Sequence, residues 1–323
     1  MTATQRTTAP PTSGQSVVDV NARPIEPKHV VWLLALGTIW GSSYLFIAVL
    51  VDEVSPLSTI AVRFALGAGV LALGLFARGG RLPGWRVVWP HLVVMSVFGN
   101  VIPFALIAWS QRYTTSALAA VLNATIPLFT LIFAALVFRS DRISGAQLGG
   151  IALGFAGVAL LTGPSVLDIG SANGLAELAL LGASLCYGFA FAYARRFVRG
   201  DPLQNVTAQL LIGFVLVTPF ALRYGWVHTE DLGAMEIGAW IALSAAGTGL
   251  AYVFYYALIR DIGATRSSLV TYIIPVVGVV LGWLLLDEYL GIEGLFGMFL
   301  IVCGIAVSYG LHRRLLRRRD IQN

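Results

Sequence analysis

Residues 54–77 read VSPLSTIAVRFALGAGVLALGLFA and hold one charged side chain, Arg63. A membrane helix needs about 20 residues with few or no charges, because the hydrocarbon core is about 30 Å thick. This stretch meets that length. Nine further stretches of 17 residues or more contain no Asp, Glu, Lys or Arg: 29–51, 87–111, 113–138, 143–167, 178–194, 202–222, 237–259, 267–286 and 294–312. The ten together occupy nearly the whole chain after residue 28. A transmembrane β-barrel would instead show short alternating stretches.

Composition agrees. Of 323 residues, 57% are hydrophobic and 11% charged, against about a quarter charged in a soluble domain. Mean hydropathy is +0.81. These values exclude a water-soluble enzyme and a disordered scaffold. Cys186 and Cys303 both fall mid-span, which excludes a disulfide framework and a metal site. Residues 1–28 are rich in Thr, Pro and Ser without an apolar core, so they read as a disordered tail outside the fold. Residues 313–323 form a basic tail.

Basic residues concentrate in cytoplasmic loops. Counted by alternate compartments, one side holds 18 of the 21 Lys and Arg residues. The other side holds Arg112 and Arg223, and Arg63 lies within a span. This asymmetry predicts both termini in the cytoplasm and an even number of spans. The pI of about 9.4 then follows from topology and implies no nucleic-acid partner.

A shift of 146–148 residues aligns the two halves of the chain. Pro56, Leu57, Thr59, Arg63 and Gly67 fall on Pro202, Leu203, Asn205, Gln209 and Gly213. Gly99 falls on Gly247, Pro127 on Pro275, Gly150 and Gly157 on Gly297 and Gly304, and Trp40-Gly41 on Tyr187-Gly188. Each half, 29–163 and 174–312, holds five spans. Five is odd, so the second half runs through the membrane the opposite way. The predicted fold is an all-α polytopic membrane protein of ten transmembrane helices in two five-helix inverted repeats. Such repeats are typical of secondary transporters, with the substrate site near the midplane between the halves.

Trp40-Gly41-Ser42-Ser43-Tyr44, Arg63-Phe64, the small-residue runs before Pro127 and Pro275, and Leu286-Asp287-Glu288 form an ordered set of motifs. Together they resemble the EamA-type members of the drug/metabolite transporter superfamily. The resemblance covers residues 30–312. It implies a ten-helix carrier of small metabolites, often amino acids moving outward. Ser140-Asp141-Arg142 stands where the family usually has Gly-Glu-Arg. Span one holds no acidic residue, unlike the related small multidrug carriers, which argues against cation antiport.

Arg63 is the only charge deep in a span. Seven residues beyond Pro56, it lies about 10 Å from the outer end of its helix by helical rise. Burial there is costly unless it faces protein or water. Its planar fork suits a substrate carboxylate; the alternative is a structural bond to helix-end carbonyls or to Asp52 and Glu53. Gln209 is its repeat counterpart. Pro127 and Pro275, read as mid-helix prolines, would free the carbonyls of Asn123 and Thr271 and make a midplane polar patch. Asn100, Pro103, Phe104 and Ile107 on span three, Trp40 and Tyr44 on span one, Tyr187 on span six, and Thr248, Tyr252 and Tyr255 on span eight could wall a cavity for an amphipathic solute.

Signatures of metalloproteases, P-loop proteins and cysteine–histidine catalysts are absent, so neither an enzyme nor a cofactor is expected. The expected protein is a monomeric inner-membrane carrier that exports an amino acid or related metabolite by alternating access, with a small-molecule substrate and the lipid bilayer as partners. A nucleotide-sugar or sugar-phosphate carrier would need more basic residues facing its site than Arg63. A channel would need a continuous polar lining, and an intramembrane enzyme a catalytic pair.

Overall fold

A computed structural model describes residues 26–84, 88–139 and 143–309. The tail up to residue 25, Arg86, Ser140-Asp141-Arg142 and the basic tail 313–323 lie outside the described residues. Ten principal helices follow in order: α1 (Pro27–Leu50), α2 (Pro56–Ala77), α3 (Trp89–Ser110), α4 (Ser116–Leu136), α5 (Gly145–Thr162), α6 (Ala172–Phe197), α7 (Pro202–Tyr224), α8 (Ala234–Ile262), α9 (Val270–Leu286) and α10 (Ile292–Ser308). Eight are long and apolar enough to cross a membrane; α9 and α10, at 17 residues each, are shorter and equally apolar.

Close contacts occur in pairs that the repeat exchanges. A Cβ placed on Gly150 would meet the Gly304 carbonyl at 2.6 Å, and one on Gly157 would meet the Gly297 carbonyl at 2.6 Å. Because 150 corresponds to 297 and 157 to 304, these are one contact made twice. As the residue number rises along α5 it falls along α10, so these equivalent helices run antiparallel. The same holds for α2 and α7: Gly67 abuts Leu210 and Gly213 abuts Phe64. The repeat also exchanges two outer contacts, Gly41 of α1 on Val277 of α9 and Gly188 of α6 on Phe129 of α4; here Gly37 meets Ile273 as Gly41 meets Val277, so α1 and α9 run parallel. Small residues let helix backbones approach where hydrocarbon supplies no hydrophobic drive. The halves are therefore an inverted repeat, closed by glycine contacts near its two-fold axis.

The prolines act differently from the sequence expectation. Pro127 does not kink a continuous helix. α4 is interrupted after Asn123, and Pro127 lies in the first turn of its second piece, Ile126–Leu136. Lacking an N–H, proline fits a first turn better than a helix interior. The carbonyl served by side chains at the break belongs to Leu122, one residue before Asn123; it accepts from the Thr125 hydroxyl (2.7 Å), and the Ser184 hydroxyl, 3.2 Å away, shares its one proton between this carbonyl and the Asn123 side-chain oxygen. Pro275 does lie inside α9, but that helix starts only at Val270, so Thr271 is in its first turn.

Glu288, just beyond α9, caps the start of α4. Its carboxylate accepts from the Ser116 amide (2.8 Å), the Ser116 hydroxyl (2.7 Å) and the Ala117 amide (3.0 Å). The loop after α1 meets the loop after α7 as a short antiparallel pair centred on Val54 and Val227. The Ser55 amide donates to the Trp226 carbonyl at 3.0 Å and the His228 amide to the Glu53 carbonyl at 2.9 Å. The Trp226 amide donates to the Ser55 hydroxyl at 3.2 Å, and the Arg112 guanidinium lies over the Trp226 ring at 5.4 Å. This clasp joins the two repeats at one end of the bundle.

The bonds flanking Val54 and Val227 make them a non-hydrogen-bonded pair, a type with Cα atoms about 4.5 Å apart, which lies in disulfide range. With Cys186 and Cys303 changed to Ser, the double variant Val54→Cys/Val227→Cys should form an intramolecular disulfide under mild oxidation. Mass spectrometry of the digested protein should find the two peptides linked. Recovery of only the separate peptides would contradict the clasp.

Candidate functional site

The centre of the bundle holds two polar pairs that the repeat also exchanges. In the first, Arg63 of α2 donates from Nε to the Thr248 hydroxyl of α8 at 2.7 Å. In the second, Asn100 of α3 reaches the Gln209 side-chain oxygen of α7 at 3.5 Å. Arg63 corresponds to Gln209, and Thr248 to Asn100. Each pair links the second helix of one repeat to the third helix of the other. All four side chains are buried.

Local backbone geometry explains why those side chains meet. Residues Val97–Val101 in α3 and Ala242–Leu250 in α8 are π-helical. A π turn carries an extra residue, and such turns are common at functional sites. In both helices the polar residue donates to the carbonyl five positions back: Asn100 to Met95 at 3.3 Å, and Thr248 to Leu243 at 3.4 Å. The wide turn thus presents Asn100 and Thr248 to the opposite repeat. Gly67, one turn after Arg63, leaves room for this: a Cβ there would stand 2.8 Å from the Thr248 methyl.

Arg63 is 7% exposed, and among the described residues it has no carboxylate partner. Bonding to Asp52, Glu53 or helix-end carbonyls, the structural alternative raised by the sequence, is not what holds it. Its guanidinium instead lies 3.8 Å over the Phe104 ring centroid, with Thr248 on its Nε edge. Its terminal nitrogens have no hydrogen-bond partner among the described residues. Tyr44, Tyr187 and Tyr252 lie within electrostatic reach of the charge.

The aromatic candidates assemble around it. Trp40 packs edge-on to Tyr252 at 6.2 Å and tilted against Tyr255 at 5.2 Å. Phe104 packs on Tyr187 at 6.4 Å. The Tyr252 hydroxyl lies 3.5 Å from the Asn100 side-chain oxygen, joining the second polar pair. Tyr187, Tyr252 and Tyr255 are half-buried. Asn123 ties three helices together: its side-chain NH2 donates to the Tyr44 hydroxyl, and its oxygen accepts from Ser184 at 3.1 Å.

Nine of the ten sequence candidates therefore meet in one cluster. Thr271 is not joined to it by a hydrogen bond; its hydroxyl donates to the Ser268 carbonyl at 2.7 Å and serves the start of its own helix. Phe104 and Thr248, which the sequence places beside these candidates on spans three and eight, belong to the cluster too. Ser184 joins it without such a signal. Two acids near helix ends have other work: Glu288 is the α4 cap, and Glu177 accepts from Ser165, whose hydroxyl lies 2.8 and 2.9 Å from its two carboxylate oxygens. No cluster of three or more His, Cys, Asp or Glu residues that could hold a metal occurs among the described residues.

Gly67 offers a controlled test of how tightly the two repeats must approach at Arg63. Overpacking a tight contact typically costs about 1–3 kcal/mol. Gly67→Ala should therefore lower the melting temperature of the purified protein. Gly74→Ala, on the same helix with open space around its Cβ, should leave it unchanged or raise it slightly. Equal effects at both positions would show that helix propensity, not the approach of α8, governs Gly67.

The EamA-like transporter family matches the chain twice, over residues 27–163 and 174–310. The uncharacterized inner membrane transporter YedA of Escherichia coli K12 is 30% identical over 259 residues, covering 77% of this chain and 80% of that protein. The uncharacterized transporter YoaV of Bacillus subtilis is 23% identical over 282 residues, covering 87% of this chain and 96% of that one. A solved crystal structure shares the fold with a TM-score of 0.62 at 21% identity, over 90% of this chain and 99% of that chain. With both five-helix halves matched, the chain belongs to the EamA-like transporter family.

Proposed function

We propose that this transporter is a secondary carrier that exports a small carboxylate-bearing metabolite, an amino acid or a related solute, across the inner membrane by alternating access. One observation carries the reading: a buried guanidinium at the junction of the repeats is held by a neutral hydroxyl and an aromatic face, and among the described residues its terminal nitrogens have no hydrogen-bond partner. A planar bidentate donor in that setting matches a carboxylate. The rings around it suit an apolar body attached to that carboxylate. Arg63 is the only cation in the cluster, which favours a monoanion over a sugar phosphate or nucleotide sugar.

In this reading the repeats rock about the central site, and the solute meets one face at a time. The clasp at Val54 and Val227 is the seam that parts when the end carrying it opens. By the distribution of basic residues that end is external and both termini are cytoplasmic. All the proposed contacts come from one chain, so a monomer suffices.

Counterflow in proteoliposomes, with a panel of amino acids, other carboxylates, sugars and nucleosides, tests the substrate class. Arg63→Gln should weaken transport of carboxylated solutes while the protein still purifies as a monodisperse species. Losing a hydrogen bond to a charged group costs roughly 1.5–3 kcal/mol, about ten- to a hundredfold in affinity. Arg63→Lys should rescue poorly, because a point charge does not reproduce the fork. Unchanged affinity in well-folded Arg63→Gln would remove Arg63 from the site.

A further inference from the structure

We propose that Thr248 is the positioning residue of the site: it pins the Nε edge of Arg63 so that the terminal nitrogens stay aimed at a solute carboxylate. The proposal rests on the carboxylate reading above and adds a residue to it.

The Thr248 hydroxyl has one donor and two acceptor positions. Arg63 Nε can only donate, so the hydroxyl receives it on a lone pair, at 2.7 Å. The Leu243 carbonyl exposed by the π turn, 3.4 Å away, is a weak acceptor for the hydroxyl's own proton. The side chain can hardly turn away. It is β-branched and therefore stiff at χ1, it is 1% exposed, and its methyl sits against Gly67. With Nε fixed, and with the guanidinium plane resting on Phe104 at 3.8 Å, the planar group keeps little freedom. A pre-aimed fork loses less entropy on binding than a free one.

The counterpart in the other repeat shows that this arrangement is not automatic. Asn100 serves its own π carbonyl in the same way, but it meets Gln209 only at 3.5 Å. A contact of that length is weak. The chain therefore holds one pole of its pseudo-symmetric centre tightly, the charged one, and leaves the neutral pole loose. The solute should bind in one orientation, with its carboxylate at Arg63.

The test uses full-length purified protein and two probes of one shape, phenylacetate and phenylacetamide, which differ in charge. Wild type should bind phenylacetate more tightly. Thr248→Val keeps the shape and removes the acceptor; it should lose about tenfold in phenylacetate affinity, the scale of one hydrogen bond to a charged group, with phenylacetamide unchanged. Thr248→Ser should restore the preference to within about twofold. In an Arg63→Gln background the Thr248→Val change should have no further effect, since no Nε remains to be held.

Wild type that fails to prefer phenylacetate overturns the carboxylate reading. A wild-type preference that survives Thr248→Val overturns the positioning role alone. So does a Thr248→Val loss that persists undiminished in Arg63→Gln. If Thr248→Val does not fold, Thr248→Ala takes its place in the same cycle, with the same outcomes.

Discussion

A positive charge in the middle of an apolar bundle, with no acid to pair it among the described residues, is the constraint around which this structure is arranged. Placing an arginine at the centre of a membrane helix costs about 2.5–3.5 kcal/mol on insertion scales. A hydrogen bond to a charged group offsets about 1.5–3 kcal/mol and a guanidinium–ring contact about 0.5–2 kcal/mol. Arg63 has one of each, to Thr248 and to Phe104. Those two contacts are of the size needed to keep it buried, and neither neutralises it. Its charge stays available to a ligand. A carboxylate partner would have held the group in place and ended that availability.

The contacts that satisfy Arg63 shape the helices around it. Thr248 reaches it because α8 widens into a π turn, and α8 comes close because residue 67 is glycine. The repeat makes the same arrangement a second time with Asn100 and Gln209, in which no charge is present. An inverted repeat thus builds two equivalent poles, and the substitution of Arg for Gln at one of them distinguishes them chemically. Around the poles, Asn123 links α1, α4 and α6 through Tyr44 and Ser184. The broken helix α4 is therefore tied to the site at the point where it breaks.

Much of this was legible in the sequence. The ten apolar stretches, the paired glycines and prolines and the lone intramembrane arginine are local or periodic features, and each has its place in the fold. The chemistry of Arg63's neighbourhood was less legible. Whether a buried arginine meets Asp52, Glu53 or a threonine 185 positions away depends on tertiary packing. Nor do the π turns follow from composition, because they depend on which carbonyls find side-chain partners. Pro127 illustrates the limit: a proline in an apolar run announces a disturbed helix, but not whether the chain kinks or breaks. Here Thr125 and Ser184 can both serve the Leu122 carbonyl, and the chain breaks. Thr271 matches Asn123 by repeat position, yet it bonds its own turn; Gly37, which has no hydroxyl, stands at the repeat position of Ser184.

The most direct measurement is an experimental structure of the protein with a carboxylated solute bound. The expected result is a carboxylate within about 2.7–2.9 Å of the terminal nitrogens of Arg63, the usual length of a charge-assisted bond, with Thr248 still on Nε and the solute's body against the rings of Trp40, Tyr187 and Tyr252. A solute bound away from the α2–α8 contact, or an Arg63 paired with a carboxylate of the protein itself, would contradict the account.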